Sequence, residues 1–156
     1  MMRDEITEAT KLAMKAGEKR RLSTLRLISA AIKDRDIAAR VDSKGQSTGR
    51  ERIDETEILQ LLQKMIKQRR EAEETYRQAG RNELSEQEAF EIGVIEEFLP
   101  SQMGDDDIRV AVSETIAAEG AAGLKDMGKT MGALKSKYAG RMDFSKASAI
   151  AKELLS

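Results

Sequence analysis

Outside a polar segment at residues 41–53, no stretch of the chain alternates apolar and polar side chains over the length of a β-strand. Apolar residues recur instead every three or four positions, which is the spacing of one face of an α-helix. Aromatic residues make up only 3% of the 156 residues, and Pro100 is the one proline. The composition is rich in Ala, Glu, Lys, Arg, Leu and Gln, which favour helices. The sequence therefore predicts an all-α fold.

Residues 123–130 spell G-x-x-x-x-G-K-T, the pattern of a phosphate-binding P-loop. A P-loop follows a β-strand, because the turn between strand and helix aims backbone N–H groups at phosphate. The residues before Gly123 instead have a helical pattern that ends at Gly120. No apolar strand ending in a magnesium-binding aspartate is present elsewhere. We therefore expect no nucleotide binding by a P-loop.

The chain contains no cysteine and no histidine. Their absence excludes thiol nucleophiles, disulfides, zinc sites and the usual general base together. The run of three aspartates at 105–107 fits the first turn of a helix, whereas a magnesium site needs separated carboxylates. We expect no catalytic centre, no cofactor and no metal ion. An independent enzyme would have only Asp, Glu, Lys, Ser and Tyr for its chemistry.

The sequence also predicts where in the cell the protein is located. No run of about 18 apolar residues is present, so we expect no membrane span and no membrane partner. The first residues, 1–5, lack an apolar core like that of a signal peptide. We expect a cytoplasmic protein.

The net charge of −1 hides an uneven distribution. Residues 83–107 carry nine acids and no base. Residues 15–40 carry eight bases against three acids, and residues 121–156 carry seven bases against three acids. This pattern indicates either an anionic partner or basic ends that attract the acidic middle of the chain.

The helix signals divide the sequence near Pro100. We predict a helical N-terminal domain of about four helices at residues 1–100 and a small three-helix C-terminal domain at residues 101–156. Two capping boxes are predicted, one from Asp54 and Glu57 and one from Ser85 and Glu88. The predicted helices cover about 2–15, 19–40, 55–79, 85–99, 105–119, 124–138 and 144–155. Predicted core side chains include Ile6, Leu12, Leu25, Ile28, Ile58, Leu62, Phe90, Ile95, Ile108, Val112, Ala147, Ala151 and Leu154.

Arg69 falls, by its helical phase, in the middle of the apolar stripe of the third predicted helix. Two interpretations stay open. The arginine extends along the edge of the stripe with its charge in water, or it forms a buried ion pair with Glu96 or Glu97 of the next helix.

The sixth predicted helix carries two glycines away from its core stripe. Gly128 and Gly132 lie near one another on the helix surface, and Lys125 and Lys135 flank them. Each interior glycine destabilises a helix by about 0.5–1 kcal/mol relative to alanine. Such a face leaves room for close approach by an RNA backbone, whose phosphates lysines would neutralise, or for packing by a second helix. The predicted core stripe of this helix is Met127, Met131, Leu134 and Tyr138.

Four segments of the sequence carry a family resemblance. They are residues 25–33 (LRLISAAIK), 61–70 (LLQKMIKQRR), 97–103 (EFLPSQM) and 126–132 (DMGKTMG). In this order and spacing, over nearly the whole chain, they resemble the GatB/YqeY family. The family's domain is also the C-terminal tail of the B subunit of the glutamine-dependent glutamyl/aspartyl-tRNA amidotransferase, and this chain resembles the stand-alone version. The resemblance implies an all-α fold with a helical N-terminal part and a three-helix C-terminal part.

The same resemblance implies a function. The tail domain of the amidotransferase contacts tRNA, so tRNA is the implied partner, together with a protein of the tRNA amidation or aminoacylation pathway. The parent activity is carbon–nitrogen ligation with glutamine as amide donor, but the chain lacks the nucleophile and activating base of a glutaminase. We expect a tRNA-binding module without its own catalytic centre; a protein-interaction adaptor is the alternative. The implied RNA-contacting residues are Lys125, Gly128, Lys129, Gly132, Lys137 and Arg141.

Overall fold

The computed structural model describes all 156 residues and contains seven α-helices and no β-strand. The all-α prediction is therefore confirmed. The chain divides into two compact units, Met1–Leu99 and Pro100–Ser156. No helix combines the length and the apolar character that crossing a membrane requires. The helices are α1 (Met2–Ala16), α2 (Lys19–Ala39), α3 (Glu55–Gln78), α4 (Asn82–Glu96), α5 (Asp105–Glu119), α6 (Met127–Lys137) and α7 (Phe144–Leu155).

The first unit packs α1 to α4 around one apolar core, with α3 and α4 in the most extensive contact. Its largest fully buried side chains are aliphatic and recur at helical spacing, as the periodicity predicts. Burying each such side chain stabilises the fold by about 1.5–3 kcal/mol. They are Ile6, Leu25, Ile28, Ile58, Leu62 and Ile95.

Three predicted core residues lie on the surface instead. Leu12 is exposed, because the buried stripe of α1 runs through Ile6 and Ala13, and Leu12 is about 100° away from Ala13 around the helix. Leu154 is also exposed, and Leu155 continues the buried stripe of α7 in its place. A one-residue error in phase is enough to move a side chain from the core to solvent.

Phe90 is the third of these residues. It is exposed on α4, whose buried face is formed by Ile92, Val94 and Ile95. The guanidinium carbon of Arg20 lies 4.5 Å from the centroid of its ring. A cation over an aromatic face is an attractive contact, so Phe90 is covered by a charged side chain from α2 rather than by the core.

One predicted capping box is confirmed and the other is wrong. At the start of α3, the Glu57 N–H donates to the Asp54 carboxylate at 2.8 Å, and the Asp54 N–H donates to the Glu57 carboxylate at 3.3 Å. Helix α4 begins at Asn82, three residues before the predicted cap. The Ser85 hydroxyl lies in the first turn of α4 and donates to the Glu73 carbonyl of α3 at 3.2 Å.

Arg69 forms an ion pair, but with a different carboxylate from the two that were considered. Its Nε lies 2.9 Å from an oxygen of Glu91 on α4, and the two side chains are 16% and 15% exposed. A second guanidinium nitrogen donates to the Met65 carbonyl at 3.3 Å. The prediction of Glu96 or Glu97 as partner is wrong, because the packing of α3 on α4 brings Glu91 opposite Arg69.

Bases of the same unit meet part of the acidic segment. Arg21 of α2 pairs with Glu97, and Arg70 of α3 lies 2.8 Å from Glu96. Opposite charges within the first unit therefore attract one another, which supports the intramolecular explanation of the charge pattern for these residues.

A buried carboxylate that the sequence analysis did not single out ties together three segments of the first unit. Asp36 of α2 accepts two hydrogen bonds from the Arg3 guanidinium of α1, at 2.9 and 2.7 Å. It also accepts the N–H of Ile53 at 2.8 Å, and Arg3 donates to the Ile53 carbonyl at 3.0 Å. The Arg3 hydrogen bond, with help from the Ile53 N–H, holds the pKa of Asp36 below its ordinary value.

The second unit packs α5, α6 and α7 against one another around a separate apolar core. The segment before α5 is joined to the turn after α6, because the Met103 N–H donates to the Arg141 carbonyl at 2.8 Å. The Gln102 side chain also donates to the Gly140 carbonyl at 2.6 Å. The core consists of Ile108, Ala111, Val112, Leu134, Met142, Ala147 and Ala151.

Candidate nucleic-acid interface

The P-loop pattern does not form a P-loop. Helix α5 ends at Glu119 and is followed by Gly120, which has φ 64°, and Gly123 leads directly into a single 3₁₀ turn, Leu124–Asp126. No strand precedes the pattern, so the prediction that the strand of a P-loop is missing before Gly123 is confirmed. The Asp126 carboxylate accepts the Ala122 N–H at 2.9 Å, and this hydrogen bond lowers the pKa of Asp126. An acidic side chain therefore takes one of the N–H groups of the turn.

Helix α6 presents two different faces. Its inner face packs Met127, Met131 and Tyr138 against the core of the second unit, and Leu134 is fully buried there. The predicted core stripe of this helix is confirmed. The other face is exposed to solvent and is therefore accessible to an external molecule.

The two glycines of α6 lie on this exposed face. A Cβ atom built on Gly128 or Gly132 meets no atom within 4 Å, and neither residue has a positive φ. The fold therefore does not require glycine at either position, and no other part of the chain fills the space above them. The cost of these glycines to the helix, which is larger at the interior position Gly132 than at Gly128 in the first turn, is not offset by packing within the protein.

Two lysines flank the glycines in the sequence. Lys125 and Lys135 are exposed and have no ion-pair partner. Gly128, Gly132 and Lys135 have the spacing i, i+4 and i+7, which places them on one side of α6, and Lys125 lies in the 3₁₀ turn immediately before the helix. We call these four residues the glycine–lysine face. Lys135 was predicted to flank the glycines but was not among the residues that the resemblance implied.

Lys129 differs from the other lysines. It points away from the core stripe, as predicted, but its ammonium group donates to the Glu119 carbonyl at 2.9 Å and lies 3.9 Å from the Glu119 carboxylate. Because Glu119 is the last residue of α5, Lys129 satisfies the carbonyl end of that helix, where a cation is also favoured by the helix dipole. Part of its charge is therefore already used within the second unit.

The remaining two candidates are Lys137, the last residue of α6, and Arg141, which follows the helix. The Lys137 ammonium group lies 5.5 Å from the centroid of the Tyr138 ring, and the Arg141 Nε is 3.4 Å from the Ser101 carbonyl oxygen. Neither cation has a carboxylate partner. Gly140, at φ 77°, makes the turn that positions Arg141.

The charge and chemistry of this region suit a polyanion. Residues 124–141 carry five bases and one acid. Tyr138 is the one aromatic residue among them, and it packs against the core. The region can thus neutralise phosphates and admit a backbone closely, but it offers no exposed ring on which a base could stack.

Thr130, the last residue of the P-loop pattern, gives a prediction about stability. Its side chain is fully buried, and its hydroxyl has no hydrogen-bond partner. Thr130→Val replaces this hydroxyl by a methyl group of similar shape, so we expect the free energy of unfolding to rise by about 1 kcal/mol in urea denaturation. Thr115→Val is the matched control, because the Thr115 hydroxyl donates to the Ala111 carbonyl at 2.8 Å. Equal losses of stability in both variants would contradict this account.

A family model described as Yqey-like protein matches residues 3–155, and so covers both compact units. The match confirms the resemblance to the YqeY family that the four sequence segments indicated. Curated protein sequences give no match to the chain.

Proposed function

We propose that this chain, which belongs to the YqeY-like family, is a tRNA-binding module without a catalytic centre of its own. The observation that carries the proposal is the glycine–lysine face: two exposed glycines of α6 with open space above them, between two exposed lysines without ion-pair partners. The similarity to the tail domain of the amidotransferase B subunit supports tRNA as the polyanion. The module would act in the cytoplasm beside the enzyme that makes the carbon–nitrogen bond.

The chemistry of the face favours contacts to the RNA backbone. Lysine ammonium groups neutralise phosphates without reading the base sequence. The glycines let ribose and phosphate approach the backbone of α6 more closely than any side chain would permit. Without an exposed aromatic residue, the face would recognise the shape of a folded RNA rather than unstacked bases. We therefore expect weak dependence on sequence and strong dependence on salt.

The glycines provide a test in which stability and binding change in opposite directions. Gly128→Ala with Gly132→Ala is expected to raise the free energy of unfolding by about 1 kcal/mol, mostly from Gly132 in the helix interior, because alanine favours the helix and the added methyl groups meet nothing within 4 Å. The same methyl groups occupy the space that the RNA backbone needs. We expect tRNA affinity to fall about tenfold, measured by fluorescence anisotropy with unfractionated tRNA.

Gly93→Ala is the matched control. Gly93 is also interior to a helix, α4, and a Cβ on it also meets no atom within 4 Å. This variant should gain stability and keep its tRNA affinity. If the Gly128→Ala/Gly132→Ala variant is more stable and still binds tRNA like the wild type, the glycines do not contact RNA.

A further inference from the structure

Helix α2 carries two large apolar residues outside the face that it buries in the core. Leu25, Ile28 and Ile32 are buried in the core of the first unit. Leu27 and Ile37 lie on the outer side of the helix and are 46% and 49% exposed. A surface helix buries one apolar stripe in its core, and neither Leu27 nor Ile37 belongs to the core of the first unit.

One of these two exposed residues, Leu27, lies in a groove. Leu27 lines two adjoining concavities, one along α2 with Lys19, Ser23 and Arg26, and one between α2 and α3. The floor of the second concavity is aliphatic and includes small residues, which leave room for inserted side chains. That floor consists of Ala30, Ala31, Leu61 and Met65.

The edges of the groove are positively charged. Lys19, Arg26, Arg35 and Lys64 line it, and none has a carboxylate within ion-pair distance. Asp34 is the one acid of the lining. The lining therefore contains four cations without ion-pair partners and one carboxylate, and these charged residues surround an aliphatic floor.

A fifth cation of the lining does not add to this charge. Arg69 is already neutralised by Glu91 on α4, at 2.9 Å. This pair is nearly buried, so the Arg69 side chain is held at the side of the groove and its charge is not available to a ligand.

We propose that this groove binds an amphipathic helix of a partner protein that carries carboxylates beside its apolar stripe. The apolar side chains would insert at Leu27 and Met65, and the carboxylates would meet the cations at the edges, as in helix-in-groove recognition. The floor has no aromatic ring for stacking, which disfavours RNA bases. The surface is concave, which disfavours a lipid bilayer, since interfacial helices present a convex apolar face to the membrane.

The test uses a synthetic 18-residue peptide with leucines at helical a and d positions and glutamates beside them, labelled for anisotropy. A scrambled peptide of the same composition is the reference. We expect the full-length chain to bind the amphipathic peptide at least tenfold more tightly than the scrambled one. Leu27→Asp should weaken binding about tenfold, because it places a charge on the apolar floor, and Arg35→Glu with Lys64→Glu should do the same and reduce the salt dependence.

Val110→Asp is the matched control, since Val110 is an exposed aliphatic residue on α5 of the other unit. It should bind the peptide like the wild type, and circular dichroism should show all variants equally helical. Equal affinity for both peptides, or full affinity in Leu27→Asp, would overturn the proposal. So would loss, in Leu27→Asp, of self-association or of binding to tRNA or phosphatidylserine vesicles, because the groove would then serve a second copy, RNA or a membrane.

Discussion

Replacing Lys125 and Lys135 together by glutamate is expected to weaken tRNA binding about thirtyfold at low salt, equivalent to about 2 kcal/mol. Both lysines are exposed and lack ion-pair partners, so their charges are available to phosphate. Each phosphate contact that is lost should also reduce the slope of log K against log salt by about 1. Fluorescence anisotropy with unfractionated tRNA, at several salt concentrations, measures both quantities.

Lys152→Glu is the matched control for this prediction. Lys152 is an exposed lysine of the same unit, on α7, without an ion-pair partner. Lys152→Glu reverses a charge outside the glycine–lysine face and so separates net charge from position. It should lose no more than about twofold in affinity. Losses that depend only on the number of reversed charges would show diffuse attraction instead of a defined face.

The largest expected effect on stability comes from Asp36. Asp36→Ala should lower the free energy of unfolding by about 2–3 kcal/mol, because it leaves the Arg3 guanidinium without its counterion and the Ile53 N–H without its acceptor. The two charged side chains are 26% and 13% exposed, so water compensates only in part. Urea denaturation measures the loss. The control is Arg70→Ala, whose pair with Glu96 joins side chains that are 62% and 44% exposed, and it should cost less than about 0.5 kcal/mol.

The same contact has a defined dependence on pH. The pKa of Asp36 is lowered in the folded protein, chiefly by the Arg3 hydrogen bond. Its contribution is therefore fully present above the ordinary aspartate pKa of about 3.9 and is lost as pH falls through the lower, folded-state pKa. The stability difference between wild type and Asp36→Ala should be constant from pH 7 to about 5 and shrink below about 4. A difference that stays unchanged at pH 2 would contradict an ionic contribution.

The helices themselves follow from local sequence. The spacing of apolar residues and the Asp54–Glu57 capping box predict α3 correctly, because both depend on residues within a turn or two of each other. The absence of a strand before Gly123 could also be read from the sequence. Which side chains face the core is harder to predict at the ends of helices, where a shift of one position decides whether Leu154 or Leu155 is buried.

Contacts between helices could not be predicted in the same way. Helical phase indicates that Arg69 is near the core, but the angle at which α3 packs on α4 decides that its partner is Glu91. The burial of Asp36 could have been predicted, because this residue lies four positions after Ile32 and therefore in the buried stripe of α2. Its partner Arg3 is 33 residues away and has no local signal.

The candidate interface was predicted only in part. The position of Gly128 and Gly132 away from the core stripe could be read from periodicity. That Lys129 would be held at the end of α5 depends on how α5 and α6 pack, which periodicity does not contain. As a result, Lys135 rather than Lys129 is the lysine of α6 that lies beside the glycines and is free to bind a ligand.

The most direct test of the account is the affinity of the wild-type chain for unfractionated tRNA between 50 and 200 mM salt. Contacts from Lys125, Lys135 and Lys137 to about three phosphates predict that log K falls with log salt at a slope of roughly −2 to −3. No measurable binding at 50 mM salt, or binding whose affinity does not change with salt, would contradict the proposal that this module binds the backbone of tRNA.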